Sequence, residues 1–435
     1  EPCNMYLQPG HYVGPNNAGL DFGSAVISIV GVDMSGSTIL DGEGIHGGFY
    51  SAGTITLNGL VLQNYINSAL TWKPTISYSL LEVSNCTFVG NQGDKGGALS
   101  LQPTASTVTA AVNASFFGNI ASGGGTFPSF NGGGAIYVST TVDSSTINLA
   151  IGDNAQFVNN TAALSGDGYG GAIYTQVSSE LSAIELTIGD NVQFMNNTAG
   201  ISAYGVGVGG AIFVMINYKD SVPKGHSLLT ITFGDNVQFV NNNAALSGDG
   251  HGGAIYAAGY RQNSTLALNI GDNVQFVNNA ASRYGYGFGK PYGGAISAYS
   301  YGQASVVNLT IGRNAKIVSN TAVGRQEAYG GAIALLTGDR SSNNLTIGDN
   351  AQFVSNTASG SFKEYGGAIY AQARSVCTTT ITIGRYVQFV SNTASGSGSA
   401  HGGAIYVEDE IYSSAIHFSI SISIGDNAQF VNNSV

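Results

Sequence analysis

Apolar and polar residues alternate singly over short stretches of this chain. Ile147, Leu149 and Ile151 interleave with Asn148 and Ala150, and the pattern returns as Leu266, Leu268 and Ile270, as Val307, Leu309 and Ile311, and as Ile420, Ile422 and Ile424. A period of two over five or six residues predicts half-buried β-strands, and the β-branched content of these runs agrees. No stretch carries a helical stripe of apolar residues, so helical and leucine-rich repeats do not fit.

The strands belong to a repeat. Phe-x-x-Asn starts at Phe88, Phe116, Phe157, Phe194, Phe239, Phe276, Phe353, Phe389 and Phe430, with Ile317 standing in once. Gly-Gly-Ala followed by an aliphatic residue starts at Gly96, Gly133, Gly170, Gly209, Gly252, Gly293, Gly330, Gly366 and Gly402. The alternating strand ends in Ile-Gly-Asp or a variant, and consecutive Gly-Gly-Ala starts lie 36 to 43 residues apart. Such spacing marks a stacked array. A propeller blade of similar period needs four strands, whereas this unit offers two or three short ones. Length varies between the motifs, as in 282–291 and 217–225, while the strands keep their register.

The expected fold is therefore all-β: a β-solenoid forming a single elongated domain. Residues 1–85 read as an N-terminal cap (1–20) and irregular solenoid rungs, and 86–435 as tandem repeats. Each repeat is expected to form two rungs of about 18–20 residues rather than one large one, which gives a rod on the order of 100 Å long.

Each constant position suggests a role. Asparagine closes all the Phe-x-x-Asn motifs, at Asn91, Asn119, Asn160, Asn197, Asn242, Asn279, Asn320, Asn356, Asn392 and Asn433, while its predecessor drifts between Asn, Ser and Gly. A constant amide beside a drifting neighbour points inward, to a ladder of stacked side chains; a sugar-binding amide row is the functional alternative. The glycine pair implies φ > 0 or a close backbone approach. A phosphate cradle would need a following helix and a Lys or Ser/Thr partner, and neither follows. Tyr169, Val208, His251, Tyr292, Tyr329, Tyr365 and His401 precede the glycines and are expected to stack as an aromatic row, continued by Tyr137, Tyr174, Phe213, Tyr256, Tyr370 and Tyr406. A carbohydrate-stacking track is the alternative. The repeated Asp (Asp153, Asp190, Asp235, Asp272, Asp349, Asp426) is read as closing a turn with its own backbone and not as a calcium ligand, since Arg313 and Arg385 replace it.

The ordered pair Phe-x-x-Asn then Gly-Gly-Ala-Ile resembles the repeat of the chlamydial polymorphic outer-membrane proteins and of similar secreted proteins of algae and protists. The resemblance covers about residues 86–435. It implies a right-handed parallel β-helix displayed outside the cell and used in adhesion and surface architecture.

Composition narrows the function. Of 435 residues, 63 are Gly and 9% are charged, against about 25% charged in ordinary domains. A net charge of −11, with the basic residues scattered singly, argues against a nucleic-acid partner. No apolar run approaches the ~18 residues of a membrane helix. Glu1 at the start reads as a mature chain whose targeting segment has been removed. The last repeat stops at Val435 before its Gly-Gly-Ala half, and the expectation is that another subunit completes it. Cys3, Cys86 and Cys377 lack metal-ligand spacing; Cys3 and Cys86 form the expected disulfide, with Cys377 buried and reduced. No cofactor or metal site is expected.

For catalysis, the best local carboxylates are Asp41 with Glu43, whose spacing would put both on one strand face, and Glu408, Asp409 and Glu410. His46 is near the first pair; His11, His226 and His417 share no setting. No enzymatic activity is expected. Eight sequons, at Asn85, Asn113, Asn159, Asn196, Asn263, Asn308, Asn344 and Asn432, are candidate glycosylation acceptors, although composition alone predicts about as many. Asn308 and Asn344 alternate with inward aliphatics and should face solvent. The resulting expectation is a secreted structural protein at the cell surface, assembling head to tail into a fibre or coat. An adhesin binding glycans or other ligands through variable loops is the first alternative, and a carbohydrate-active β-helix enzyme the second.

Overall fold

The computed structural model describes residues 2–33, 37–122, 132–202, 205–217, 226–246, 248–282, 290–338, 340–374, 377–410 and 419–435. Twelve parallel pairings link thirteen tiers, from Cys3–Leu7 to Ser419–Ile424. The fold is a parallel β-solenoid.

One repeat makes one rung, which corrects the two-rung expectation. From Thr146–Ile151 the chain turns into Gln156–Val158, bends into Thr161–Ala163, and passes through Gly168–Tyr169 into Ile173–Val177. Ala183–Ile188 then lies in register on Thr146–Ile151, pairing Ile147 with Ile184 and Ile151 with Ile188. All three motifs are therefore needed to go round once. Thirteen tiers at ~4.8 Å give a rod of roughly 60 Å.

Stacking the rungs makes a 24-stranded, a 9-stranded and an 11-stranded sheet, with two three-stranded ones outside. The alternating strands send Ile147, Leu149 and Ile151 inward, where they meet Phe157 and Ile173 in one continuous core. The Gly-Gly-Ala strand loses its alternation because it is covered on both faces. Ile173 faces the main core, while Tyr174 joins Tyr169 and Val208 in a second, outer apolar layer.

Two expectations about the chain's first part change. Within the segment read as a cap, Cys3–Leu7 and Gly10–Tyr12 pair in register with Ile27–Gly31 and Thr38–Asp41, so the described part of it is a further rung. All three cysteines are free. Cys86 is part of the core, its thiol donating to the Ser84 carbonyl at 3.2 Å, and burial pushes its pKa up to about 12. Cys3 is exposed on the first rung, several tiers away, so the chain would have to fold back to join them. Cys377 is buried and bonded to the Gly338 carbonyl.

Candidate functional site

The ten asparagines form one ladder. Asn279 shows the pattern: its amide nitrogen donates to the Phe239 carbonyl at 2.9 Å and to Asn320 Oδ1 at 2.9 Å. Its own oxygen accepts the Asn242 backbone N–H and side-chain amide, each at 3.0 Å. Both donors and both lone pairs are occupied, which is the full capacity of an amide. The chain of bonds starts at Asn91 and reaches Asn433 through Asn119, Asn160, Asn197, Asn242, Asn279, Asn320, Asn356 and Asn392. The ladder amides from Asn91 to Asn392 are buried within the stack and offer a sugar none of their polar atoms. Beneath it the Phe rings stack face to face, 4.7 Å apart between Phe239 and Phe276.

The residue before each ladder Asn has φ between 51° and 61°, at Gly90, Gly118, Asn159, Asn196, Asn241, Asn278, Ser319, Ser355, Ser391 and Asn432. That left-handed bend explains a drift confined to Gly, Asn and Ser, the first two being the residues that enter this region most readily. The first glycine of Gly-Gly-Ala is also left-handed, with φ 64° at Gly170. The second meets the rung above: a Cβ on Gly171 would lie 2.0 Å from the Gly210 carbonyl oxygen.

The repeated Asp does not close its own turn, as expected from sequence, but takes the amide of the next rung. Asp153 accepts from Asp190 N–H at 2.8 Å, Asp190 from Asp235 at 2.8 Å, and Asp235 from Asp272 at 2.7 Å. Arg313 and Arg385 continue the pattern. Each donates its backbone N–H to the preceding Asp, and its guanidinium grips the other oxygen, with Nη2 at 2.8 Å from Asp272 and 2.9 Å from Asp349. These hydrogen bonds lower the pKa of both aspartates.

The carboxylates singled out for catalysis meet a partner that spacing did not reveal. Thr38–Asp41 ends at Asp41, and Glu43 follows in a turn with φ 55°, so the pair does not share a strand face. Asp41 Oδ2 lies 2.9 Å from His11 Nε2 and accepts from Gln63 Nε2 at 2.7 Å. Oδ1 accepts the Glu43 amide at 2.7 Å and Asn64 Nδ2 at 3.1 Å. Burial works to raise the Asp41 pKa, but the bonds from Gln63, Glu43, His11 and Asn64 hold it at about 2. Glu43 Oε2 accepts the Gly14 amide at 2.9 Å and lies 3.6 Å from His46 Nε2. The group borders a cavity of about 290 Å³ lined by Asn64, Tyr65 and Gln92. A general acid holds its proton near the working pH, and a carboxylate with every oxygen engaged and its pKa depressed suits an anchor instead: His11, Asp41 and Gln63 come from three successive rungs. His11 could have been found only from the one-rung register Gly10↔Thr38, which no motif marks in this part of the chain.

At the other end Glu408 accepts from Tyr370 Oη and, at 3.0 Å, from Gln372 Nε2. The side chains of Asp409 and Glu410, and all of His417, lie outside the described residues, as do 283–289 and 218–225 of the two variable insertions. His226 lies 3.3 Å from Thr265 Oγ1, and His401 stacks on Tyr365 at 5.4 Å. The aromatic row is a stack: His251, Tyr292, Tyr329 and Tyr365 follow one another at 5.6, 4.9 and 5.4 Å. Among the sequons, Asn85, Asn113, Asn159, Asn196, Asn263 and Asn432 are exposed. Asn308 and Asn344 lie on the outer face but are half-buried, bonded to each other at 2.8 Å.

No helix among the described residues is long and apolar enough to cross a membrane. No curated protein and no solved structure matches the chain. Residues 154–176 and 236–258, each running from the Asp turn through the ladder Asn into the Gly-Gly-Ala strand, match the Chlamydia polymorphic membrane protein repeat, and this chain carries that repeat.

Proposed function

We propose that this protein is an extracellular structural solenoid, a building block of a cell-surface fibre or coat that associates end to end and performs no catalysis. One observation carries the reading: the constant side chains of the repeat are engaged in holding rung to rung. The ladder Asn is saturated within the stack, the Asp and its Arg replacements bind the adjacent rung, and both glycines serve the backbone. A repeat so arranged builds length and stiffness, as in other stacked arrays. The match of two stretches to the Chlamydia polymorphic membrane protein repeat supports display at a cell surface, and few charges limit repulsion between stacked copies.

The apolar side chains of each rung are covered by the rung stacked on it. Ile422, Ile424 and Phe430 are 43%, 50% and 46% exposed, whereas Ile381, Ile383 and Phe389 one rung earlier are at most 2% exposed. A further rung, from whichever chain, would cover them with the pairing already in use. Native mass spectrometry of material taken from its source, across a dilution series, is expected to show multimers of a single mass. Monomers at every concentration would overturn the assembly.

A further inference from the structure

The column of rings on the outer face of the Gly-Gly-Ala strands has a gap. Tyr137, Tyr174, Phe213 and Tyr256 stack at 4.8, 5.0 and 5.5 Å. In the next two rungs the register places Ser297 and Ala334 in the same column before Tyr370 resumes it. The flanking columns do not stop there. His251 and Tyr292 stack on one side at 5.6 Å, and Tyr299 pairs in register with Leu336 on the other. A missing ring between two flanking walls leaves a hole, and the structure has one: a cavity of about 200 Å³ lined by Tyr256, Tyr260, Tyr292, Tyr299, His251, Ser297 and Leu336.

We infer that this gap binds one neutral sugar ring of a glycan. The volume falls below the ~300–1,000 Å³ of sites for drug-sized ligands, so it admits a single ring with the rest of the ligand in solvent. Its walls are π-faces, which suit the apolar face of a pyranose, and Tyr260 and Tyr299 meet edge to face at 88°. Polar groups stand at the same place. Tyr256 and Tyr260 share one hydrogen bond, Oη to Oη, at 2.9 Å; two hydroxyls joined by one bond keep a second hydrogen and several lone pairs for a ligand. Burial raises the pKa of both phenols, so they stay protonated donors. Among the described residues none of the lining side chains is a carboxylate, ammonium or guanidinium. His251 is the titratable nitrogen of that lining, so an anion would meet a positive charge only with the imidazole protonated, whereas a neutral polyol needs no counter-charge.

The test is saturation-transfer NMR on the full chain with the methyl glycosides of glucose, galactose, mannose and N-acetylglucosamine, and with tetramethylammonium as a cationic probe. At least one glycoside should receive saturation through its ring protons, with the cation failing to displace it. Ser297→Tyr restores the ring found in this column at Tyr174, Tyr256 and Tyr370, so it should keep the melting temperature and abolish the transfer. Tyr299→Ala, at a half-buried position of the wall, should weaken binding about three- to tenfold, which covers the case in which Ser297→Tyr folds poorly. Absence of transfer from every glycoside, undiminished transfer in Ser297→Tyr or in Tyr299→Ala, or preferential binding of tetramethylammonium would overturn the inference.

Discussion

At the scale of single residues, two adjacent asparagines do different work. Asn279 is fully buried with both donors and both lone pairs engaged, while Asn278 is exposed and supplies a left-handed bend at φ 55°. Asn279→Ala is expected to lower stability by roughly 1–3 kcal/mol through partners left unsatisfied. Asn278→Ala should cost less, about 1–2 kcal/mol of backbone strain, and Asn278→Gly close to nothing. Urea denaturation midpoints check the order, and equal losses at Asn279→Ala and Asn278→Gly would refute the ladder. Glu364 makes the opposite prediction. It is fully buried between Ala328 and Ala400 in register, with Oε1 bonded to the Phe362 amide at 3.0 Å and Oε2 without a partner among the described residues. Burial raises its pKa, so its charged form opposes folding at neutral pH and the opposition fades below the ordinary carboxyl pKa. Glu364→Ala should therefore stabilise by on the order of 1 kcal/mol at pH 7 and by less at pH 4. Stabilisation that is equal at the two pH values would contradict this account. The ladder was legible in the sequence because ten constant asparagines stood beside drifting neighbours. The left-handed bend was not, since the drift itself was the signal: Gly, Asn and Ser share a backbone conformation, not a side-chain chemistry.

Elements explain what a one-dimensional reading lost. Strand positions were readable from alternation, yet the number of rungs per repeat was not, because periodicity gives the spacing of motifs and not how many bends close a turn of the chain. The partner of the Asp turn was missed for the same reason. Asp153 and the amide it accepts are 37 residues apart, adjacent only once the rung length is known. In the first rungs, where motifs are absent, His11, Asp41 and Gln63 form a tie across three tiers. The Asp41 pKa falls from 3.8 to about 2 on folding, so the tie stabilises fully above pH 3.8 and is lost as pH drops toward 2. Hydrogen exchange across residues 10–64 should accelerate over that interval ahead of exchange in the Asn ladder of 160–279. Asp41→Asn should show weaker protection at pH 7 and lose the acid dependence. Simultaneous acid exposure of both regions would contradict a local role.

The whole molecule is a rod whose cross-section is repeated and whose outer surface varies. Rung-to-rung bonds run along the axis in every sheet, and the same pairing that joins Thr378–Ile383 to Ser419–Ile424 is available to whatever follows. This is the physical basis for an assembly that lengthens without a new type of interface, and it places the sugar-sized gap on the flank, where stacking does not cover it. Electron microscopy of native material tests this most directly. Straight rods of constant width, with lengths in multiples of roughly 60 Å for this stretch of solenoid or fused into continuous fibres, are the predicted result; isolated single rods at all concentrations, with no axial neighbours, would contradict it.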